Sequence, residues 1–244
     1  MLTSLQNQKV KEWKKLHKRK HRNLNRCFLV EGHHLVEEVI KSNWGIQEFI
    51  IQEGVEFPLP DGIPTTEVSR QVFAAISETE TPQGIAAVVE QKQFTFTPAP
   101  LTLMIDAVQD PGNLGTLIRT ADAAGFDQII LGEGTVDPYN DKVIRATQGS
   151  LFHTPFVQED LAAFISELKN EGVEVWASTL DESVPFKQLD PPEKVALIVG
   201  NEGHGIQEKL TALADRRVHI PIYGQAESLN VAIAAAVLMY HMKG

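Results

Sequence analysis

The second half of the chain alternates short apolar segments with amphipathic ones. Residues 196–199, for example, read Ala-Leu-Ile-Val without interruption. Strands that are apolar throughout are buried on both faces, which is typical of a parallel sheet covered by helices on both sides. The sequence therefore predicts an α/β fold, with strands at 101–108, 128–131, 173–178, 195–199 and 218–222, and helices at 114–124, 141–148, 160–170, 205–214 and 228–242.

The first part of the chain predicts a smaller α/β module. Strands are predicted at 27–32, 46–51 and 84–89, with a helix at 33–41 and a strand–turn–helix passage at 65–77. The segment Phe94-Thr-Phe-Thr-Pro-Ala-Pro100 breaks this pattern, because its prolines and threonines favour extended chain. We place the domain boundary there, which gives domains of residues 1–97 and 98–244.

Charge is distributed unevenly along the chain. The net charge is −10, yet residues 9–26 hold nine of the 22 Lys and Arg residues and one of the 32 acidic ones. Residues 1–26 are predicted to be helical and mobile, so the cluster forms a basic arm on an acidic body. With His17 and His21 interspersed, it is typical of a phosphate-binding surface, and the alternative is a solvated helix face.

Several classes of protein are excluded by composition. No segment approaches the roughly 18 consecutive apolar residues that a membrane span requires. The first eight residues lack the layout of a signal peptide, and the single cysteine, Cys27, excludes an internal disulfide. We expect a cytoplasmic protein.

Three loops that follow predicted strands carry the polar residues of interest. The first loop follows the strand that ends at Val108 and leads through Pro111 and Gly112 into a helix. The apolar stripe of that helix consists of Leu114, Leu117, Ile118 and Ala121. Arg119 falls on the opposite face, from which its side chain can lean back over the loop. Asn113 stands at the helix entrance, either as an N-cap or as a functional amide.

The second loop, residues 200–206, contains Gly200, Gly203 and Gly205 around the carboxylate of Glu202. Glycines there allow the backbone to approach a ligand. The spacing matches neither a dinucleotide-binding loop nor a Walker A loop. His204 is a candidate base, although a single loop histidine more often has no special role.

The third loop, residues 219–230, leads into a terminal helix that is apolar almost all round. Such a helix is buried or meets another subunit. Ser228 is the expected N-cap, and Asn230 is a polar amide that needs partners. Both residues could serve a ligand or the structure.

Taken in order, the three loops resemble the three motifs of the SpoU (TrmH) branch of the SPOUT methyltransferases. The matching residues read Asn-x-Gly-x-x-x-Arg from Asn113, Gly-Asn-Glu-Gly from Gly200, and Ile-Pro-Ile followed by Glu-Ser-Leu-Asn-Val-Ala in the third loop and its helix. The similarity spans residues 101–243. The strand Phe-Leu-Val-Glu-Gly and residues 81–84, Thr-Pro-Gln-Gly, resemble an L30e-like substrate-binding domain.

The resemblance implies a trefoil-knotted α/β domain that works as a homodimer and binds S-adenosylmethionine. The implied cofactor residues are Gly200, Ile220 and Leu229, with residues 178–180 as a further wall. The implied reaction is methylation of a ribose 2′-hydroxyl in RNA, with 23S ribosomal RNA favoured over transfer RNA, and without a metal. The implied catalytic residues are Arg119, Asn113, Glu202, Ser228 and Asn230. Arg119 acts either as the base or as a clamp on phosphate and developing oxyanion.

Three other functions fit the residues less well. A non-catalytic RNA-binding protein of the same fold would not need every motif residue to be present. A nicotinamide-dependent oxidoreductase would carry Gly-x-Gly-x-x-Gly, which is missing. A metal site built from His33, His34, Glu37 and Glu38 is disfavoured, because adjacent helical residues diverge by about 100°.

Overall fold

The computed structural model describes residues 1–244, which divide into two compact units. The first unit comprises residues 1–93 and 137–152, and the second unit comprises residues 94–136 and 153–244. The predicted division by function, into residues 1–97 and 98–244, remains a prediction. A bilayer-spanning helix would need more length and apolar character than any helix of this structure has.

The first unit is built on a four-stranded sheet. Its elements are α1 (Gln8–Lys15), α2 (Arg19–Asn25), β1 (Cys27–Glu31), α3 (His33–Lys41), β2 (Ile46–Gln52), β3 (Thr65–Val68), α4 (Arg70–Ile76) and β4 (Ile85–Glu90). The strand order is β1-β4-β2-β3. β4 runs antiparallel to both β1 and β2, whereas β2 and β3 are parallel.

The rest of the chain forms the second unit, apart from residues 137–152, which leave it to join the first unit and are called the excursion. In chain order its elements are β5 (Leu101–Ile105), α5 (Pro111–Ala123) and β6 (Gln128–Leu131), then α6 (Asp141–Thr147) within the excursion 137–152, then β7 (Phe156–Gln158), α7 (Leu161–Asn170), β8 (Glu174–Ser178), β9 (Val184–Pro185), β10 (Val195–Val199), α8 (Glu208–Thr211), β11 (Arg216–His219) and α9 (Val231–Lys243).

The seven strands of the second unit are ordered β7-β6-β5-β10-β8-β11-β9, and every neighbouring pair is parallel. All residues of β5, β6 and β10 are buried. The continuous apolar sequence of β10 predicts this, and β5 and β6 are apolar except for Thr102 and Gln128. Because β5, β10, β8 and β11 are consecutive neighbours, the loops after these four strands leave the same edge of the sheet. The predicted α/β class is confirmed.

The prediction that the N-terminal segment is a mobile arm is wrong. Val10, Trp13 and Leu16 are buried in a core cluster with Val72 and Phe73. The Trp13 indole also donates to Glu48 Oε1 at 2.8 Å. The segment is therefore basic on its surface and apolar on the side that packs against the first unit, so it belongs to the folded body of that unit.

Arg22 is buried, although it belongs to the basic segment. Its Nε and Nη2 donate to Asp137 Oδ2 at 3.1 and 2.5 Å, and its Nη1 donates to the carbonyls of Leu16 and His17 at 2.8 Å each. Asp137 is also buried, with 7% of its surface exposed. This ion pair joins the segment 137–152 to the rest of the first unit. The sequence analysis did not predict this connection, because it assigned the two residues to different domains.

Several element boundaries differ from the prediction. β11 spans Arg216–His219 rather than 218–222, so residues 220–230 form a longer loop. α8 spans only Glu208–Thr211, and α9 begins at Val231 rather than at 228. The short strands β7 and β9 were not predicted, because segments of two or three residues show no periodicity.

Candidate active site

Glu202 is the centre of a hydrogen-bond network between the first and second loops. Its Oε1 accepts from Asn113 Nδ2 at 2.9 Å and from the Asp110 N–H at 3.2 Å. Its Oε2 accepts from the Gln109 N–H at 3.3 Å. Because β5 and β10 are parallel neighbours, the loops that follow them lie side by side. The hydrogen bonds to the Glu202 carboxylate hold these two loops together.

Burial raises the pKa of Glu202, and hydrogen bonds lower it by more. These bonds come from the Asn113 side chain, from the backbone of Glu202 itself, and from Gln109 and Asp110. The net pKa lies below the ordinary value of a glutamate, so the carboxylate is ionised at neutral pH. An ionised carboxylate only accepts hydrogen bonds, which fixes Asn113 with its amino group toward Glu202.

The network continues into the third loop. Asn230 Nδ2 donates to Asn113 Oδ1 at 2.9 Å. Asn230 is also the N-cap of α9, since its Oδ1 accepts from the N–H groups of Ala232 and Ile233 at 2.9 and 3.3 Å. One amide thus ends the third loop, starts the helix and connects both to Asn113 and Glu202. The prediction that Ser228 caps this helix is wrong.

Asn113 does not cap its own helix. Asp110 takes that role for α5, accepting from the Asn113 N–H at 2.8 Å, and Pro111 follows as the first helical residue. The Asn113 side chain is therefore free to join Glu202 and Asn230. The apolar stripe of α5 is buried as predicted, and it consists of Leu114, Leu117, Ile118 and Ala121.

Two further side chains that the sequence did not indicate hold the second loop in place. Asp106, only 1% exposed, accepts from the Gln207 N–H at 2.7 Å and from Gln207 Nε2 at 2.5 Å. Asn201 Nδ2 donates to the Ala107 carbonyl at 2.8 Å, and its Oδ1 accepts from the N–H groups of Gly203 and His204. An acidic residue directly after the predominantly apolar strand β5 was the available signal for Asp106.

The second loop also folds back on itself. The backbones of Asn201 and Gly205 exchange two hydrogen bonds of 2.9 and 3.0 Å. A side chain at Gly200 would overlap the backbone of Gly205, and Gly205 has φ +70°. Gly200 is therefore required by close packing, and Gly205 by its left-handed backbone.

A cavity of about 500 Å³ lies at the strand ends of the second unit. Its walls come from the loops after β8, β10 and β11, and from the start of α9. Gly200, Ile220 and Leu229, the three implied cofactor residues, line it, as do residues 178–180. Glu202, Ser228 and Asn230 line it as well, whereas Asn113 is connected to it through its hydrogen bonds to Glu202 and Asn230.

Arg119 lies outside the lining of this cavity. It is exposed on α5, opposite the buried stripe, and its guanidinium forms no hydrogen bond or ion pair. His204 and Ser228 line the cavity, but neither side chain forms a hydrogen bond. No group of three or more His, Cys, Asp or Glu side chains is arranged to hold a metal ion.

Comparison with known proteins identifies the class. Residues 100–240 match the SpoU rRNA Methylase family, and residues 7–87 match the MRM3-like substrate binding domain. A Bacillus subtilis (strain 168) protein, 23S rRNA (guanosine(2553)-2'-O)-methyltransferase RlmP, is 49% identical over 245 residues, which cover 100% of this chain and 99% of the relative.

Solved structures agree. An AdoMet-bound rRNA methyltransferase from Sinorhizobium meliloti is 34% identical with a TM-score of 0.90, over 99% of this chain and 96% of that one. The AdoMet complex of AviRb, a SpoU methyltransferase from Streptomyces viridochromogenes, is 25% identical with a TM-score of 0.87, over 98% and 97%. The chain belongs to the SpoU rRNA methylase family. It is an S-adenosylmethionine-dependent RNA methyltransferase, and the predicted fold of two α/β domains is confirmed.

The cavity is suited to that cofactor. Its volume of about 500 Å³ lies within the range of roughly 300–1,000 Å³ that is usual for small-molecule sites. Ile220, Leu229 and Val199 supply apolar wall, while the glycines of the second loop expose backbone polar groups. This mixture of apolar surface and backbone hydrogen-bonding groups is what a nucleoside with an amino-acid tail requires.

Proposed function

We propose that the protein methylates the 2′-hydroxyl of a ribose in 23S ribosomal RNA. The observation that carries this proposal is the network of Glu202, Asn113 and Asn230 beside the cavity, with the unpaired cation Arg119 on the same helix as Asn113. The full-length similarity to a 23S rRNA 2′-O-methyltransferase supports the choice of RNA. The guanosine modified by that relative is the first nucleotide to test.

S-adenosylmethionine, when bound, supplies a methyl group on a positively charged sulfur. Gly200, Ile220 and Leu229 are the residues that would hold it, as part of the cavity lining. Glu202 would keep the second loop in its binding conformation through the hydrogen bonds to the first loop. Asn230 would fix the third loop through its hydrogen bond to Asn113. Ser228, which lines the cavity, would contact the cofactor or the RNA.

Arg119 would act on the RNA rather than on the cofactor. A guanidinium stays protonated throughout the physiological pH range, so it is a poor base. Its fixed positive charge is instead suited to binding a phosphate and to stabilising the ribose oxygen as that oxygen loses its proton. Its exposure and lack of a partner within the chain leave all of its donors available to RNA.

The two parts of the chain would divide the work. Residues 1–97 would select the RNA, as the similarity of residues 7–87 to a substrate binding domain suggests. Residues 98–244 would bind the cofactor and carry out the transfer. A cytoplasmic location follows from the ribosomal RNA substrate and remains a prediction.

We further propose that the protein works as a homodimer through its C-terminal domain. Leu229, Ile233, Val237 and Tyr240 are 39%, 55%, 39% and 56% exposed. Ile233, Val237 and Tyr240 recur at intervals of three or four residues along α9, so they form one apolar stripe on the side away from the buried Ala235 and Leu238. Leu229 lies just before the helix, four residues ahead of Ile233. Light scattering should give twice the mass of one chain, and Ile233→Asp should give a monomer.

The decisive experiment is a map of ribose methylation across total RNA, with and without the protein. Loss of one methyl group in 23S ribosomal RNA, restored by the wild-type gene, is the expected result. Restoration should fail with an Arg119→Ala gene. Loss confined to transfer RNA would show that the substrate is different while the reaction is as proposed.

A further inference from the structure

The first unit has a surface on which positive charge is not neutralised by the protein itself. Of the nine cations in residues 9–26, Lys9 pairs with Glu48 and Arg22 pairs with Asp137. The other seven are exposed, and none forms a hydrogen bond or an ion pair through its side chain. They are Lys11, Lys14, Lys15, Lys18, Arg19, Lys20 and Arg26. We call this set the basic surface.

The positions of these cations follow from the packing of the two helices. Val10 and Trp13 occupy the buried side of α1, so Lys11, Lys14 and Lys15 share its exposed side at intervals of three and four residues. Arg19 and Lys20 continue the surface into the first turn of α2. The apolar core of the first unit thus fixes where the cations stand.

This arrangement is unfavourable in the isolated protein. Like charges three or four residues apart on a helix repel. Cations in the first turn of α2 also face the positive end of the helix dipole. Glu12, the single acidic residue of the segment, accepts a hydrogen bond from Gln8 at 2.8 Å instead of pairing with a lysine. In a chain of net charge −10, this unpaired set indicates a partner that carries negative charge.

We propose that the basic surface binds the phosphate backbone of the RNA substrate, largely independently of base sequence. The inference rests on the proposed function, which makes RNA the substrate. Lysine is a point charge on a flexible stem, so a lysine-rich surface follows phosphates without reading bases. Leu24, 73% exposed one helical turn from Lys20, adds apolar area that a ribose or base can cover.

An anionic membrane is the other partner that attracts lysines. Membrane-bound helices bury a continuous apolar face in the lipid. The apolar side of α1, with Val10 and Trp13, is instead buried in the core of the first unit. Leu24 is then the one large apolar side chain exposed on α2, which favours RNA over a lipid surface.

The test compares two triple variants of the full-length protein. K11Q/K14Q/K15Q removes three charges from the basic surface, and K187Q/K194Q/K209Q removes three exposed lysine charges from the second unit. Glutamine preserves helix propensity, and equal melting temperatures will verify folding. Fluorescence anisotropy with a labelled 23S RNA fragment gives the dissociation constant between about 50 and 200 mM salt, the range in which phosphate contacts dominate the change.

The basic-surface variant should bind RNA roughly tenfold to a hundredfold more weakly, and its plot of log K against log salt should be shallower by about two. Its KM for RNA should rise while kcat at saturating RNA stays unchanged, since these lysines lie outside the cavity lining. The control variant should match the wild type in both measurements.

Equal salt slopes for the two variants would overturn the inference. So would lysine-dependent binding to phosphatidylserine vesicles with unchanged RNA affinity, since that result would assign the surface to a membrane. The proposed function fails separately: in that case the wild type would bind the RNA with a lysine-dependent slope but leave its riboses unmethylated.

Discussion

Arg22 in the first unit and Arg119 in the second unit are two arginines in opposite environments. In the first unit, Arg22 is 4% exposed, and four hydrogen bonds satisfy its guanidinium. In the second unit, Arg119 is exposed and has no partner within the chain. The same residue type therefore serves structure in one place and is available for function in the other. The comparison teaches that the partners of an arginine distinguish one that holds the fold together from one whose donors are free to meet a ligand.

The largest effect is expected at Arg119. Arg119→Ala should lower the rate of methyl transfer by roughly a hundredfold to a thousandfold, the usual loss when a charge-stabilising donor is removed. Folding should be unaffected, because the side chain is exposed and forms no hydrogen bond or ion pair within the chain. Single-turnover methylation of the RNA measures the rate, and calorimetry should show unchanged S-adenosylmethionine binding.

Arg119→Lys is the matched control. It keeps the charge but loses the planar fork that binds two oxygens at once. Near-full turnover in this variant would contradict a clamp on phosphate and oxyanion, whereas a loss close to that of Arg119→Ala would support it.

Arg22 should affect stability instead of chemistry. Arg22→Met leaves Asp137 buried without its cation, which costs about 3–5 kcal/mol. Hydrogen exchange followed by mass spectrometry should show faster exchange throughout the first unit and unchanged exchange in the strands β5, β6 and β10. Arg19→Met, at an exposed position of the same helix, should change neither.

The double variant Arg22→Met with Asp137→Leu sharpens the same point. Replacing both members of a buried pair by apolar residues is often neutral or stabilising. Recovery of exchange protection in the double variant would assign the loss to the unpaired carboxylate. Continued loss would show that the hydrogen bonds from Arg22 to the carbonyls of Leu16 and His17 matter more.

Glu202 should have a smaller effect on activity, of about tenfold for Glu202→Gln, because one of its charge-assisted hydrogen bonds is lost. Its contribution to stability should depend on pH. Since the native pKa of Glu202 lies below its ordinary value, the carboxylate stabilises the fold above about pH 4.5, and this contribution disappears as pH falls through the native pKa.

The melting temperature of Glu202→Gln should therefore lie below that of the wild type at pH 7, and the two should converge in acid. Glu208→Gln is a control at an exposed glutamate outside the network. A gap between wild type and Glu202→Gln that stays constant with pH would contradict a role for the ionised carboxylate.

The hydrophobic pattern of the sequence, together with the polar residues that follow its strands, predicted much of this structure. The predominantly apolar segments of β5, β6 and β10 identified a parallel sheet, and motif order brought together Glu202, Asn113 and Asn230. The local sequence could not identify a helix N-cap where two suitable residues lie close together in the chain. Asp110 and Asn113 both precede or begin α5, and only the hydrogen bond from the Asn113 N–H to Asp110 shows which one is the cap.

Long-range pairing was also beyond the reach of the sequence. Arg22 and Asp137 lie far apart along the chain, and nothing local to either residue indicates that they meet. The excursion 137–152 into the first unit was missed for the same reason. Amphipathicity could have corrected the predicted mobile arm, since Val10 and Trp13 lie three residues apart and mark a helix face that packs on a core.

The smallest effect is expected at His204, a residue of the second loop that lies at the cavity but that we do not expect to take part in the reaction. His204 lines the cavity, but its imidazole forms no hydrogen bond and so has no partner to orient it as a base. His204→Gln should change kcat by less than about twofold and leave the pH–rate profile in place. If His204 were the base, its removal would lower the rate by about a hundredfold or more and abolish the acidic limb of that profile. A single pH series on the two proteins therefore decides whether His204 takes the proton of the reacting hydroxyl.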